Sequence, residues 1–182
     1  VTSKNAEQDE PSKRMLSWAR NSTIYRLERR MMTEKQLFDA ITKKAKSKFD
    51  DISPTQIKSL AEAAVNFAYE IKALDDVAFA ESATRTALRN GKSKRAIAQK
   101  LSMKGVDREV TAAALEEADD LSSAVVLARK RRLGPFRRDE SSDAKSLSKE
   151  MAALARNGYS FDIANRVLAM ELEEAEEILA RL

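Results

Sequence analysis

The 182-residue chain contains no cysteine and no histidine. Without cysteine there can be no disulfide and no thiolate metal site, and the composition fits a reducing compartment. Without histidine, the Ser-His-Asp triad, imidazole metal ligation and the side chain that ordinarily shuttles protons near neutral pH are all excluded. Glycine and proline are scarce, at four and three residues, and aromatics make up 5% of the chain. A composition so poor in chain breakers and so rich in Ala, Leu, Lys, Arg and Glu favours an all-helical protein. No run approaches the roughly 18 uninterrupted apolar residues of a membrane span, and the polar N-terminal stretch has nothing resembling a signal peptide. A cytoplasmic protein without membrane contact is expected. Neither a glycine-rich phosphate loop, a metal-ligating cluster nor a nucleophile–base pair is visible, so neither a cofactor nor an enzymatic activity is expected. A Ser-Lys arrangement is the enzymatic alternative that the composition leaves open.

Charge is abundant and uneven. The formal net charge is +4. Lys13 to Lys48 nevertheless holds eleven basic against three acidic residues, Arg85 to Lys104 holds seven basic and no acidic ones, and Arg129 to Arg138 holds six basic ones. The compensating acid lies at MELEEAEEILARL, with five glutamates against one arginine. Blocks of this kind shape the field and the choice of partner rather than the fold.

Residues 1–12 are polar and aperiodic and are expected to form a flexible tail. A helix is predicted over about 13–30, with Trp18, Tyr25 and Leu27 among its apolar residues. Thr33 and Gln36, then Ser53 and Gln56 with Pro54 between them, form two capping boxes, each worth ~1 kcal/mol. Ile57, Leu60, Ala61, Ala64, Phe67, Ala68 and Ile71 follow i, i+3, i+4, i+7 spacing and predict one buried stripe. Further on, Asp75 and Asp76 open a helix ended by Gly91. Ser93 caps a second helix with Ile97 and Leu101 inward, and Gly105 ends it in a left-handed turn. Asp107 caps a third, with Val110, Ala113 and Ala114 inward.

Superimposing two glycines exposes an internal repeat: Leu101-x3-Gly105-x4-Val110 matches Leu154-x3-Gly158-x4-Ile163, with Asp107 opposite Ser160 and Ala98 opposite Met151. Leu37, Ile41, Ile57 and Leu60 suggest an earlier copy with a lengthened turn. The expected division is a first three-helix module over 13–73, a second over 74–118 and a third over 119–182 with an acidic C-terminal extension, the break before the third lying near Glu117 to Asp120. Each is too small to bury a core alone. RRLGPFRRDESSD is the one long loop, in which Gly134-Pro135 stops a helix and the Ser/Asp cluster starts the next. So basic a loop is either mobile or partner-bound.

The stretch from Leu74 to Glu117 resembles the RecX family of recombinase regulators. The likeness is carried by Asp75-Asp76, Phe79-Ala80, Arg85 and Arg89, Gly91, Arg95 to Leu101, Lys104-Gly105 and Asp107, and it extends more weakly to Ala153–Val167. The lengthened first turn, without a glycine, and the acidic extension from Glu171 depart from the family pattern. The resemblance implies a non-enzymatic, monomeric protein of tandem three-helix modules forming an elongated curved rod. It also implies a partner, the RecA–single-stranded DNA filament, whose ATP hydrolysis and strand exchange such a protein suppresses, modulating DNA repair and recombination. The alternative is a helical module that binds DNA non-specifically and independently of RecA.

Arg85, Arg89, Lys92, Lys94, Arg95, Lys100 and Lys104 are either a solvated face or a contact surface, and the absence of acid across their stretch favours contact. Arg85 and Arg89 stand first, because one-turn spacing lets two guanidinium groups engage adjacent carboxylates or phosphates. Arg129, Lys130, Arg131, Arg132, Arg137 and Arg138 form the densest cluster. Phe136 among them is expected to tuck onto the body rather than stack on a base. Asp75 and Asp76 are expected to cap helices rather than hold a metal. Trp18, Tyr25, Phe67 and Phe79 are read as core or packing residues. The C-terminal glutamates form a solvated helix face or fold back on the basic surface and compete with a partner.

Overall fold

The computed structural model describes residues 10–138 and 143–182. The expected tail is described only from residue 10, and the serines at the start of the Ser/Asp cluster lie outside the described residues. Among the described residues, ten α-helices follow in order: α1 Lys13–Leu27, α2 Glu34–Lys46, α3 Pro54–Glu70, α4 Asp76–Arg89, α5 Lys94–Met103, α6 Arg108–Ala114, α7 Asp120–Arg131, α8 Ala144–Arg156, α9 Phe161–Leu168 and α10 Leu172–Ala180. A 3-10 turn at Gly134–Phe136 lies between α7 and α8. Among the described residues there is no strand, and no helix is long and apolar enough to cross a membrane.

Two compact units make up the chain. Unit 1 comprises Val1–Phe79 with Met103–Asp107, and unit 2 comprises Ala80–Ser102 with Arg108–Leu182.

In unit 1 the chemistry of the caps sets the helix starts. The Thr33 hydroxyl accepts from the Gln36 N–H at 3.2 Å while the Gln36 side chain accepts from the Thr33 N–H, and Ser53 with Gln56 repeats the exchange. Both capping boxes are therefore present as the sequence predicted. Leu37, Ile41 and Ala45 of α2 then meet Leu60, Ala61, Ala64 and Ala68 of α3 in a core without solvent exposure. Each fully buried Leu or Ile contributes about 1.5–3 kcal/mol of transfer free energy. Trp18 packs edge-on against Phe49, ring centroids 5.2 Å apart.

Three expectations about burial fail for geometric reasons. The helix predicted to about residue 30 ends at Leu27, and Tyr25 is 54% exposed. It lies two positions, about 200°, from buried Thr23 and so on the opposite face, where the Arg29 guanidinium sits 4.0 Å from its ring centroid. Ile71 is exposed because it lies just past the end of α3, where Lys72 adopts a left-handed φ of 54° and turns the chain away. Ala113 is exposed while Thr111 and Leu115, one turn apart, are buried, so the inward stripe of α6 is shifted in phase from the expected one.

Unit 2 is built on α7. Ala124, Val125, Leu127 and Ala128 pack with Leu154 of α8, Ala164 and Val167 of α9 and Ala175 of α10. Phe136 packs against this core and does not stand free between the arginines. The two glycines of the internal repeat occupy equivalent left-handed turns, with φ of 81° at Gly105 and 88° at Gly158. Leu101 and Leu154, matched by that repeat, are both fully buried.

Candidate polyanion-binding surface

Helix α4 begins at two aspartates with separate tasks. Asp75 accepts from the Ala78 N–H at 2.9 Å and caps its own helix. Asp76 accepts from the N–H of Glu34, at the start of α2, at 3.0 Å. Burial pushes the Asp76 carboxyl above the usual carboxylate range, the Glu34 N–H opposes the shift, and the charges of Glu34 and Asp75 add to it. The capping role expected for this pair holds, extended to a second helix. Among the described residues no group of acidic side chains could hold a metal ion.

At the other end of α4, Arg85 and Arg89 are exposed, one helical turn apart. Glu81 lies 3.6 Å from Arg85, an exposed contact of the kind that solvent screens heavily. Both arginines line a groove together with Leu88, Glu117, Asp119, Ser122, Ser123 and Leu182. Burial raises the pKa of Asp119, but hydrogen bonds from Ser122 and Leu121 and the charge of Arg166 outweigh it and hold the group below its ordinary value.

The second basic cluster adjoins the first. Lys130 Nζ, in the last turn of α7, donates at 3.0 Å to the Arg89 carbonyl and at 3.0 Å to Asn90 Oδ1. A cation at that place also meets the negative end of the α4 dipole. Arg129 and Arg131 flank it, exposed, and Arg132 caps α7 in a left-handed conformation with φ of 56°. The chain then passes through the 3-10 turn and is fastened by Glu150 of α8. Glu150, 9% exposed, accepts from the Gly134 N–H at 3.2 Å and receives Arg137 as a fork, Nε at 2.7 Å and a terminal nitrogen at 2.5 Å. The hydrogen bond to Glu150 raises the Arg137 pKa, against desolvation. Through residue 138 this basic segment is a braced connection.

Of the thirteen basic residues singled out from the sequence, twelve lie in unit 2 and Lys104 lies in unit 1. Lys104 Nζ sits 4.7 Å from the Phe79 ring centroid, a cation–π contact. Lys92 Nζ donates to Asn157 Oδ1 at 3.3 Å, and Lys94 is half-buried, its backbone N–H bound to Asp120 at 2.7 Å. Arg95, Lys100 and Arg138 are exposed. The structure thus joins Arg85, Arg89 and Lys130 locally and commits Arg137 to an internal ion pair. Glu150, Asn157 and Asp120 had no place among the sequence-derived candidates. Glu150 offers no local signal for its role, since its partner lies 13 positions away.

Residues 75–115 match the family model for the second three-helix domain of RecX. The chain is 60% identical over 175 residues to the regulatory protein RecX of Agrobacterium fabrum, covering 96% of this chain and 95% of that protein. It is 33% identical to the regulatory protein RecX of Myxococcus xanthus, covering 87% and 88% of the two chains. The crystal structure of RecX from Lactobacillus salivarius shares the fold, with a TM-score of 0.64 at 22% identity over 91% of this chain and 99% of that one. With most of its length aligned to a relative at this identity, the chain belongs to the RecX family of regulatory proteins.

Proposed function

We propose that the chain binds the filament of RecA recombinase on single-stranded DNA and inhibits its ATP hydrolysis and strand exchange. Family membership supplies the class of partner. The observation that carries the reading of the surface is the hydrogen bond from Lys130 to the Arg89 carbonyl, which joins the two basic runs through residues 41 positions apart in sequence. Arg85 and Arg89 can each take a phosphate or a carboxylate, and Arg129 and Arg131 extend the positive field beside them. Action through a surface of this kind bridges neighbouring subunits of a polymer and hinders the movements that turnover requires, with no chemistry performed by the inhibitor.

Purified chain added to RecA, single-stranded DNA and ATP is expected to depress hydrolysis as it approaches stoichiometry with the recombinase. Undiminished hydrolysis at equimolar chain would overturn the proposal. The rival reading, DNA binding independent of RecA, draws support from the same cations. Sequence-specific reading is disfavoured, because α6 offers Arg108 as its one basic residue beside Glu109 and three alanines. Salt-sensitive affinity for bare single strands equal to that for the filament would favour the rival, and a clear preference for the filament would favour RecA regulation.

A further inference from the structure

In unit 1, helix α1 ends in a turn that carries an open aromatic ring among arginines. The Glu28 N–H donates to the Ile24 carbonyl at 2.9 Å, and the Arg29 and Arg30 N–H groups both donate to the Arg26 carbonyl, at 3.2 and 3.3 Å. This turn preserves the helical neighbour relation of residues four apart beyond Leu27. The Arg29 guanidinium accordingly lies 4.0 Å from the Tyr25 ring centroid and steadies the ring. Tyr25 nevertheless keeps 54% of its surface exposed, and Ile24 and Met31 add exposed apolar surface. Residues 24–31 hold three arginines against one acid, Glu28. Arg29 and Arg30 are exposed and Arg26 is half-buried. Among the described residues none of the three arginines forms an ion pair.

We propose that Tyr25, with Arg29 and Arg30, is a base-stacking contact for single-stranded nucleic acid, carried by unit 1. A single exposed tyrosine is ordinary. One steadied by a guanidinium among arginines without carboxylate partners supplies both elements of a sequence-independent strand site, cations for the backbone and a π-face for the base. The ring selects a single strand over a duplex, whose bases are already stacked on one another. It also distinguishes this surface from the basic connection of unit 2, where Phe136 packs against the core and the arginines offer charge without an open ring. Backbone order at Arg29 and Arg30 fixes where the cations start, so little freedom is lost when a strand settles on them. The site goes beyond the reading above and does not depend on Arg85 and Arg89.

The test titrates the full chain against a labelled single-stranded oligothymidylate at low salt, and against an abasic strand of the same length, by fluorescence anisotropy. Tyr25→Ala is expected to weaken binding to the oligothymidylate roughly tenfold. Its slope of log affinity against log salt should stay that of the natural chain, because stacking releases no counterions, whereas Arg30→Gln should lower the slope by about 0.7. Tyr25→Phe should bind like the natural chain. On the abasic strand the natural chain and Tyr25→Ala should bind alike. Tyr25→Trp keeps an aromatic at the site, and its emission should be quenched by the oligothymidylate and not by the abasic strand. No measurable strand binding by the natural chain, undiminished binding by Tyr25→Ala, an equal loss on the abasic strand or unquenched Tyr25→Trp would overturn the site. If Tyr25→Ala instead weakens only the capture of RecA free of DNA, the surface is a protein contact and the proposal falls. The strands are bare and the variants leave unit 2 untouched, so failure of the RecA reading appears in the hydrolysis assay and failure of this site in these titrations.

Discussion

The Ser93 hydroxyl donates a 2.8 Å hydrogen bond to the carbonyl of Asn157, the residue before Gly158. In unit 1 the Thr33 hydroxyl donates in the same way, at 2.6 Å, to the carbonyl of Lys104, the residue before Gly105. The parallel extends to the next donor. The Glu34 N–H binds Asp76 at 3.0 Å, and the Lys94 N–H binds Asp120 at 2.7 Å. In each case the preceding aspartate serves its own helix, Asp75 through Ala78 and Asp119 through Leu121 and Ser122. One helix start, one glycine turn and one aspartate pair thus form the same seam twice.

Ser93 serves this seam doubly, since its oxygen also accepts from the Ala96 N–H at 3.2 Å. Ser93→Ala removes a helix cap and leaves a carbonyl at a part-buried site without its donor. The expected loss is about 2 kcal/mol, measured as a lower urea midpoint at unchanged m.

Gly158 stands against this hydroxyl so closely that an added Cβ would collide with Ser93 Oγ, and its φ of 88° is unfavourable for any L side chain. Gly158→Ala is expected to cost more than the roughly 1–2 kcal/mol of left-handed strain alone. Combining it with Ser93→Ala should recover the steric part and leave the strain. The double mutant is therefore expected to be less destabilised than the sum of the singles, and an additive cycle would contradict the close approach.

Local chemistry made much of this architecture legible. The Thr33 and Ser53 boxes and the two matched glycines are signals within five residues, and the structure places each where the spacing indicated. Features that depend on tertiary placement were not readable. Nothing near Arg137 announces Glu150, and nothing near Lys130 announces the end of α4. The aspartate pairs are an intermediate case. Asp76 precedes Gly105 by 29 positions and Asp120 precedes Gly158 by 38, so an alignment pinned on the glycines separates them. The extra length falls in the basic connection between α7 and α8.

The two cap-and-seam aspartates respond oppositely to pH. Asp76 has a raised pKa, so between its unfolded and folded values the folded chain holds more protons, and its contribution to stability is lost as pH rises through the folded value. Asp119 has a lowered pKa, so its contribution is present above the unfolded value and lost as pH falls through the folded one. Asp76→Asn, which keeps an oxygen for the Glu34 N–H, should raise stability at pH 7 relative to pH 3. Asp119→Asn should lower it at pH 7 and have little effect at pH 2. Denaturant melts of both variants across this range check the opposite signs.

Glu150 and Arg137 keep 11% and 20% of their side chains accessible, so breaking the pair strands a charge that is largely cut off from water. Glu150→Ala is expected to cost roughly 3 kcal/mol, at the low end for a buried pair because Arg137 can still reach solvent. Arg137→Met combined with Glu150→Met should recover much of that loss. A double mutant as unstable as Glu150→Ala would mean that the Gly134 N–H, which Glu150 also accepts, is the more important partner.

The same pair supplies a control for the binding surface. Each cation that neutralises a phosphate contributes about one unit to the slope of log affinity against log salt, slightly less on single strands. Arg85→Gln with Arg89→Gln should therefore weaken single-strand or filament binding and reduce the slope by roughly 1.4, at about 0.7 per contact. Arg137→Gln should lower stability yet leave the slope unchanged, because its guanidinium is already spent on Glu150. Arg131→Gln, in the exposed turn beside Lys130, should again reduce it. Net charge alone would make a single Arg137→Gln and a single Arg131→Gln equivalent. A difference in slope between them separates a surface with defined contacts from a uniform positive field.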